Sequence, residues 1–476
     1  MPFELWGNSS KKSNEYLVRI SIKFVNTRPI KPLKPLLKLL AIKIKLISLP
    51  SIQMTIIDGE FSRIIKMENF SFSENNEENT FSNEKISELL EKYISSLENI
   101  SPNVVAIAHD NFKEKIGGIQ TIMKLENRSV IASNGNYWTI NPNQLRNSFT
   151  VSPMLSLLHN GKHIANIRTE DISELLGILK RNASDRDILI VIHSLLGYDP
   201  EKISKTLEAH QEIKQYFYLH DFYSICPSIK LLRNNLDFCN APAITSWSCR
   251  ICIYGEARGE HVSGIERVFK SPGISLVAPS KSTQDIWINN YGLEKNIAIL
   301  PHLNLTPANQ LKRERNIRPR IAFFGPPYRE KGWNSFIAVA KLLLETHDFY
   351  VFSSHNPQVG GITFIELDNR SGDINYARDT LIENLIDYAF IYPMWPETYS
   401  LVTAEAISAG LFVLTNSNSG NVSTLVEEFR AGSIFENLDQ MVNHLQSDLK
   451  KELKLQTYTA EFNGIVEQFI KDSRDE

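Results

Sequence analysis

The chain has 476 residues, of which 42% are hydrophobic and 22% charged, and its formal net charge is −3. This length allows two or three globular domains, and the slightly negative charge argues against a nucleic-acid binder. No apolar run approaches the roughly 18 to 20 residues that cross a bilayer, and residues 1–12 lack the apolar core of a signal peptide, so we expect a soluble, cytoplasmic protein.

Residues 1–98 predict a small, β-rich accessory region. Tyr16 to Val25 alternates like a strand, and Gln53 to Ile65 has the pattern of a hairpin that turns at Asp58-Gly59. An acidic run rich in Asn and Ser, residues 68–84, follows and is typical of a linker or a flexible loop.

The segment 16–57 carries eight Lys or Arg residues and no Asp or Glu, and its part Leu36 to Leu49 is strongly apolar. As a helix, this part would lie on an anionic membrane surface, where a lipid-linked acceptor is found. As a strand, Ile42 to Leu46 alternates apolar residues with lysines, which is the period of a half-buried sheet. We favour the strand and keep peripheral membrane contact through residues 16–57 as the alternative.

Residues 99–308 alternate strands and helices, which predicts a parallel sheet in a Rossmann-like domain. The predicted elements are strands at Val104 to Ala108, Ile188 to His193 and Tyr216 to Leu219, and helices near Glu170 to Lys180 and Glu201 to Gln211. Parallel sheets bind ligands at the carboxyl ends of their strands, and His193, His220 and Asp221 lie at such ends.

The loop after the first of these strands contains Asp110 and Gly117-Gly118. A glycine pair lets the backbone approach a ligand without a Cβ in the way, so this loop is a candidate for contact with the acceptor or a donor phosphate. The alternative is a simple turn.

All four cysteines fall in one window, at Cys226, Cys239, Cys249 and Cys252, and the last two form a Cys-x-x-Cys pair. Four thiolates can surround a tetrahedral metal, so one interpretation is a closed structural zinc site without a catalytic role. The other is a set of reduced, buried thiols or a redox pair.

Residues 309–476 predict a second domain of the same kind, entered through a charged, helix-poor linker at Thr306 to Pro319. Strand Ile321 to Phe324 ends at Gly325, and Lys331 stands where the next loop meets a helix, a position from which it can bind a diphosphate. The remaining predicted elements are strands at Phe349 to Ser353 and Phe412 to Thr415, helices at Ser335 to Glu345 and around Asp379 to Tyr388, and closing helices after the loop Ser417 to Asn421.

Seven residues separate Glu397 from Glu405, the first in a Pro-rich loop after a short apolar strand and the second on a helix that begins near Tyr399. At about 1.5 Å per residue the two carboxylates lie roughly 10 to 12 Å apart, with the free N–H groups and positive dipole end of the helix between them. This arrangement suits a nucleotide sugar. The N–H groups of Tyr399, Ser400 and Leu401 would hold the pyrophosphate, Glu405 the ribose hydroxyls and Glu397 the sugar hydroxyls.

Together these segments resemble the retaining glycosyltransferases of the GT-B class, specifically the large family 4-like group whose signature is Glu-x7-Glu. Besides the glutamate pair, the resemblance is carried by Tyr218 to Asp221 with Cys226-Pro227, by Leu276 to Ser280 with Asp285, Tyr291-Gly292 and Ile299 to Pro301, and by Ile321 to Gly325 with Glu330 to Gly332. It implies two Rossmann-like α/β domains facing each other across a cleft, with the last helix packing back on the first domain. Some relatives also carry a cysteine cluster after the His-Asp segment.

The resemblance implies transfer of a sugar from a nucleoside diphosphate donor to a glycan, lipid-linked or protein acceptor, with retention at the anomeric carbon and without a catalytic metal. The residues at the implied donor site are Gly325, Arg329, Lys331, Glu397, Thr398, Tyr399, Ser400, Leu401 and Glu405, and those at the implied acceptor or phosphate loop are Asp110, Gly117, Gly118 and Asp221. Lys331 and the N–H groups after Glu397 would stabilise the departing phosphate. His220 would contact the donor sugar near the reacting centre.

Two residues depart from the family pattern. Pro326 stands where relatives carry an arginine, so either Arg329 replaces that cation or one charge is missing. Thr398 stands in place of a glycine and would narrow the sugar pocket. These departures support an alternative, a catalytically weak or inactive module that acts as a binding or scaffold subunit of a glycan-assembly protein. A sugar-nucleotide epimerase on the same fold is a third interpretation.

Overall fold

The computed structural model describes residues 16–22, 52–57, 60–67, 83–99, 101–144, 147–292, 297–313, 316–367, 373–447 and 453–475. The chain divides into two compact units, Met1–Phe81 and Ser82–Glu476.

The first unit contains an antiparallel three-stranded sheet of β1 (Tyr16–Ile22), β2 (Ile52–Ile57) and β3 (Glu60–Met67), in the order β1-β3-β2. Strands β2 and β3 pair as the predicted hairpin, with Ile57 opposite Glu60. The segment Leu36 to Leu49 and nearly all of the acidic run lie outside the described residues, and the prediction of membrane contact therefore rests largely on residues that the structure does not describe. Within the described residues, no helix combines the length and apolarity that crossing a bilayer requires.

The second unit contains two open sheets and the helices that cover them. Its strands are β4 (Asn103–Ile107), β5 (Asn136–Pro142), β6 (Leu155–His159), β7 (Lys162–Ile167), β8 (Ile188–Ile192), β9 (Lys214–Tyr218), β10 (Leu232–Arg233), β11 (Asp237–Phe238), β12 (Ile274–Ala278), β13 (Ala298–Ile299), β14 (Leu303–Arg313), β15 (Arg320–Phe324), β16 (Asp348–Ser353), β17 (Ile362–Glu366), β18 (Tyr388–Phe390), β19 (Phe412–Asn416), β20 (Gly432–Phe435) and β21 (Leu453–Phe462).

The helices of this unit are α1 (Asn83–Ser95), α2 (Gly118–Ala132), α3 (Asp171–Asn182), α4 (Pro200–Ala209), α5 (Trp247–Arg250), α6 (Gly255–Lys270), α7 (Lys281–Tyr291), α8 (Trp333–Leu343), α9 (Tyr376–Glu383), α10 (Leu401–Ser408), α11 (Asn421–Phe429), α12 (Leu438–Ser447) and α13 (Ile465–Asp475). Short 3₁₀ turns lie at Asp185–Asp187 and Arg329–Lys331. Helix α1 packs on α3 and buries Ile86, Leu90 and Ile94, so residues assigned above to the accessory region belong structurally to the larger unit.

The first sheet has eight strands in the order β13-β12-β9-β8-β4-β5-β6-β7. Strands β4 and β8 are buried along their whole length, as expected for parallel strands with helices on both faces. The pairs from β13 to β5 are parallel, whereas β6 and β7 are antiparallel, which the prediction of a parallel sheet missed. The chain leaves β4 toward β5 and returns to place β8 on the other side, which puts the topological switch point between β4 and β8.

The second sheet has six parallel strands in the order β17-β16-β15-β18-β19-β20. Its switch point lies between β15 and β18. The prediction of two α/β domains built on parallel sheets is confirmed by this topology.

An antiparallel ribbon of β14 and β21 joins the two halves of the second unit. Two predictions were wrong here: much of the segment Thr306 to Pro319 is a strand rather than a linker, and the C-terminal region contains β21 between its helices. After this ribbon α13 returns to the first sheet, where Val466 and Phe469 pack with Val104 of β4.

Candidate functional site

Most of the candidate donor residues follow the two strands at the switch point of the second sheet. The loop after β15 runs from Gly325 to Gly332, and the loop after β18 runs from Ile391 to Ser400. Ligands of open parallel sheets bind outside the carboxyl ends of the strands at such a point. Gly325 has a φ of 109°, which favours glycine, and no heavy atom lies within 4 Å of the position that a Cβ would take.

These loops bring Lys331 and Glu397 together. Lys331 Nζ donates to Glu397 Oε1 at 2.7 Å and lies 5.4 Å from the centre of the Trp395 ring. The lysine side chain is 34% exposed and the glutamate side chain 11%. Gly332 directly follows Lys331. Its φ of 91° and its close approach to the Tyr392 carbonyl leave no room for a side chain, so this turn requires glycine. A cation and a carboxylate thus lie together at one partly exposed position.

The backbone of Glu397 is held by the loop that opens α11. Glu397 N–H donates to the Ser419 carbonyl at 3.0 Å, and Asn421 N–H donates to the Glu397 carbonyl at 2.9 Å. Gly420 lies between them with a φ of 65°, and a Cβ there would come within 2.7 Å of the Glu397 carbonyl oxygen. This support was not predicted, although a Gly-Asn pair just before a helix is a recognisable signal.

Thr398 connects this loop to the first sheet. Its hydroxyl donates to the His220 carbonyl at 2.6 Å, and its own carbonyl accepts from the hydroxyls of Ser280 at 2.6 Å and Thr283 at 2.9 Å. The side chain is buried, so in this structure it bonds to the opposite domain. The carboxyl ends of the two sheets therefore meet at Thr398, and His220 lies directly beside the loop of Glu397.

Helix α10 begins at Leu401, later than the predicted start near Tyr399. No described residue accepts a hydrogen bond from the backbone N–H groups of Ser400, Leu401 or Val402, which leaves them available to an anion at the positive end of the helix. The Tyr399 side chain is directed elsewhere, since its hydroxyl bonds to the backbone of Leu303 and its ring packs against His302.

Glu405 lies one turn further along α10. The residue keeps some exposed surface, but burial raises the pKa of its carboxyl to about 8. Its carboxyl makes no hydrogen bond or ion pair with any described residue. A carboxyl that is largely protonated at neutral pH both donates and accepts hydrogen bonds, which suits a pair of hydroxyl groups.

Arg329 is directed away from Lys331. Its guanidinium donates to the carbonyls of Asn235 at 3.5 Å and Leu236 at 3.1 Å, in the segment that carries the cysteines. The neighbouring Glu330 pairs with Lys230 at 2.6 Å across the same boundary. In this structure Arg329 therefore does not occupy the position that the missing arginine would fill.

His220 lies in a buried cluster of aromatic and acidic groups. Its Nε2 is 2.9 Å from His193 Nδ1, and its ring stacks on Tyr218 and His302 at centroid distances of 4.7 and 4.9 Å. Burial, together with the neighbouring histidines, holds the pKa of His220 well below its usual value. His302 also joins this cluster, with a pKa lowered by burial to about 3.

The other candidate residues of the first domain lie around the carboxyl ends of β4 and β9. Asp221 accepts from the N–H of Tyr223 at 2.8 Å, and burial raises its pKa. Asp110 accepts from the Gln120 side chain at 3.3 Å and lies 3.4 Å from His109. Gly117 and Gly118 open α2, and the space beside Gly118 is empty within 4 Å.

The four cysteines are free thiols that line one small cavity together with Arg258. Arg258 Nη1 is 3.5 Å from Cys249 Sγ, so a guanidinium already supplies positive charge there, and burial raises the pKa of Cys226 to about 12. No group of three or more His, Cys, Asp or Glu side chains in the described part of the chain could hold a metal ion. The structural zinc prediction for Cys226, Cys239, Cys249 and Cys252 is therefore not supported. Cys226 and Cys249 are buried, and Cys239 and Cys252 are partly exposed.

Comparisons with known proteins give distant similarities. No protein-family profile matches the chain. A stretch of 201 residues is 28% identical to an "Uncharacterized 42.6 kDa protein in cps region" of Klebsiella pneumoniae, covering 42% of this chain and about half the length of that curated relative.

Among solved structures, TarM is 9% identical with a TM-score of 0.46, covering 80% of this chain and 96% of TarM. HepE of Anabaena, solved in complex with UDP-glucose, is 10% identical with a TM-score of 0.44, covering 78% and 99%. A glycosyltransferase from Rickettsia africae is 12% identical with a TM-score of 0.43, covering 79% and 93%.

Proposed function

We propose that the chain is a retaining glycosyltransferase that moves a sugar from a nucleoside diphosphate donor to a glycan, lipid-linked or protein acceptor. The observation that carries this proposal is the position of the Lys331–Glu397 pair. It lies at the switch point of a parallel sheet. Glu397 comes shortly before the unbonded N–H groups that open α10 and directly before Thr398, which bonds to His220.

Each group has a role in binding the donor. The N–H groups of Ser400, Leu401 and Val402 and the Lys331 ammonium bind the diphosphate and stabilise the charge that develops on it as the sugar leaves. Glu397 accepts from sugar hydroxyls, and Glu405 exchanges hydrogen bonds with the ribose hydroxyls. His220 contacts the sugar near the reacting carbon, and the departing phosphate accepts the proton of the acceptor hydroxyl.

Donor binding requires the Lys331–Glu397 pair to rearrange. An ion pair whose lysine is one-third exposed is screened by water, so exchanging the carboxylate for a phosphate oxygen has a small free-energy cost. Glu397 is then free to accept hydrogen bonds from the sugar. The pair in the structure thus holds both side chains at the site before the donor arrives.

A second candidate is a nucleotide-sugar-binding module without catalysis. The observation that favours it is the orientation of Arg329, which bonds to Asn235 and Leu236 and so does not replace the cation missing at Pro326. Under this candidate the chain binds a donor and acts as a subunit of a glycan-assembly protein.

The experiment that separates the two measures nucleotide release from a panel of nucleoside diphosphate sugars, UDP-glucose included. A transferase hydrolyses its own donor slowly, and Glu397→Gln is expected to abolish that release. Glu427→Gln is the matched control, because Glu427 is an exposed carboxylate of the same domain. A thermal shift with a donor but no release from any donor would favour the binding module, and neither a shift nor release would refute both candidates.

A further inference from the structure

A chain of buried polar side chains lies behind His220. Glu126 Oε2 is 3.0 Å from His193 Nε2, and His193 Nδ1 is 2.9 Å from His220 Nε2. Glu126 is fully buried, and the two histidines are 1% and 9% exposed. Glu126 lies on α2, while the histidines follow the neighbouring strands β8 and β9, so three separate elements build the chain.

The direction of these hydrogen bonds follows from Glu126, which lies at the end of the chain opposite His220. Tyr137 donates its hydroxyl to Glu126 Oε2 at 2.8 Å, and burial beside this carboxylate raises the pKa of the phenol well above its usual value. Oε2 is therefore an acceptor, and His193 donates its Nε2–H to it. A neutral imidazole carries one proton, so His193 Nδ1 is an acceptor and His220 must donate its Nε2–H.

This order of donors follows where a neutral His193 faces a neutral His220. Its pKa is held well below the usual value by burial and by neighbouring histidines, among them His302, which stacks on it. With a single proton on Nε2, the Nδ1 of His220 carries a lone pair. Nδ1 makes no hydrogen bond with any described residue, whereas the carbonyl of the same residue bonds to Thr398 beside Glu397.

We propose that Glu126 and His193 are positioning residues that hold His220 in the Nε2–H tautomer, so that its Nδ1 accepts a hydrogen bond from a hydroxyl group of the donor sugar. This inference rests on the proposed function for the identity of the ligand. The tautomer itself is a property of the protein alone. It gives His220 the chemistry of an acceptor rather than that of an acid.

The decisive measurement is the tautomer of His220 in the unliganded full-length protein. Histidine labelled with 15N, observed through two-bond correlations to the ring protons, shows which nitrogen carries the proton. The signals of His220 are assigned by their loss in His220→Gln. We expect protonated Nε2 and unprotonated Nδ1 for both His193 and His220. A proton on Nδ1 of His220 would overturn the proposal, whatever the variants below show.

Variants of Glu126 test whether the acid sets the tautomer. Glu126→Gln keeps an acceptor oxygen at the position of Oε2, so His220 should retain its Nε2 proton. Glu126→Met has a similar length but no acceptor, so the two tautomers of His220 should mix. Tyr137→Phe is the matched control, because it removes the other hydrogen bond to the same oxygen and should leave the tautomer unchanged. An unchanged spectrum in Glu126→Met would refute the role of Glu126.

Donor hydrolysis provides the second readout. We expect kcat to fall at least about tenfold in Glu126→Met with KM nearly unchanged, and to stay close to wild type in Glu126→Gln. If the Glu126 carboxylate had only a structural role, kcat would fall equally in both variants. The spectra need no donor, so they decide the tautomer even if the chain transfers no sugar. If His220 carries its proton on Nε2 but the chain acts on no donor, the proposed function would be refuted, whereas the role of Glu126 and His193 in setting the tautomer would stand.

Discussion

Two neighbouring cations, Lys331 and Arg329, differ in what they face. Lys331 is directed at Glu397 and the ring of Trp395, while Arg329 donates to carbonyls of the cysteine-rich segment. The sequence made both candidates for a phosphate, Lys331 because it stands where a loop meets a helix, and Arg329 as the possible replacement for the arginine missing at Pro326. Only the fold distinguishes them, since the positive φ of Gly332 directs the turn toward Tyr392 and with it the lysine.

Replacing each cation by methionine tests this difference. Lys331→Met should weaken the binding of a nucleoside diphosphate by about 10- to 100-fold, because a charge-assisted hydrogen bond to the phosphate is lost. Arg329→Met should change it by less than about threefold. Titration calorimetry measures both. Equal losses would mean that Arg329 moves into the site when the donor binds.

Glu405 makes stability depend on pH in an unusual direction. Its folded pKa of about 8 lies above the ordinary value of 4.5, so the folded state binds the proton more tightly than the unfolded state. The stabilisation is complete below about pH 4.5 and is lost as the pH rises to about 8. Glu467, with a pKa raised by burial to about 7, acts in the same sense over a narrower range.

We therefore expect the urea midpoint to fall less between pH 5 and 8 in Glu405→Gln than in wild type. Between pH 7 and 8 the effect should persist in a Glu467→Gln background, because the Glu467 contribution is nearly complete by pH 7. Unfolding curves at constant ionic strength measure this. Parallel wild-type and Glu405→Gln profiles would show that the Glu405 carboxyl titrates normally.

At the scale of elements, the loop that opens α11 holds the backbone of Glu397 through Ser419 and Asn421, and Gly420 lies between these two residues. A Cβ at Gly420 would come within 2.7 Å of the Glu397 carbonyl oxygen and of Pro396 Cβ, and the φ of 65° is unfavourable for a side chain. Gly420→Ala should therefore destabilise the fold by about 1–3 kcal/mol and weaken donor binding, because it displaces Glu397.

Gly292→Ala is the matched control for this substitution. Gly292 ends α7 with a similar positive φ of 56°, but no heavy atom lies within 4 Å of its added Cβ. It should show only the smaller backbone penalty of about 1 kcal/mol and unchanged donor binding. If both variants bind the donor as wild type does, the contact between Gly420 and Glu397 does not position the carboxylate.

The elements that the sequence predicted are those with continuous apolar runs between turn signals. Strands β8 and β15 belong to parallel sheets covered on both faces, so the residues of β8, and those of β15 after Arg320, are all apolar and stand out. The ribbon of β14 and β21 was missed for the opposite reason. It pairs Leu303 with Phe462, far apart along the chain, and the segment from Thr306 onward is rich in charge, which is also typical of a linker.

The residues of the candidate site also divide into those that the sequence could predict and those that it could not. Glu397 and Lys331 lie close to strand ends that the sequence reveals, so both could be placed near a ligand. The hydrogen-bonded chain from Glu126 through His193 to His220 could not be predicted, because Glu126 and His193 lie 67 positions apart and no sequence pattern pairs them. Their pairing depends on β4 and β8 being neighbours and on α2 packing beside them, which only the completed sheet establishes.

At the scale of the whole molecule, the two sheets of the larger unit meet where the donor site is proposed. Thr398 donates to the His220 carbonyl, and Lys230 pairs with Glu330 nearby. The contact of Thr398 is buried, whereas the ion pair is partly exposed and contributes little to stability. The hydroxyl of Thr398 is therefore the stronger of these two links between the halves, and it joins the residue after Glu397 to the proposed sugar-contacting histidine.

Thr398→Val tests whether this link positions the two halves for catalysis. Valine has the same shape but no hydroxyl, so the buried carbonyl of His220 loses its hydrogen bond, which should lower the free energy of unfolding by about 1–3 kcal/mol. Because His220 and Glu397 are then no longer tied together, kcat for donor hydrolysis should fall more than the affinity for the donor. Thr398→Ser keeps the hydroxyl and should stay close to wild type in both measurements. If Thr398→Ser loses stability and activity while Thr398→Val keeps both, then the methyl group, and not the hydrogen bond to His220, is what this position requires.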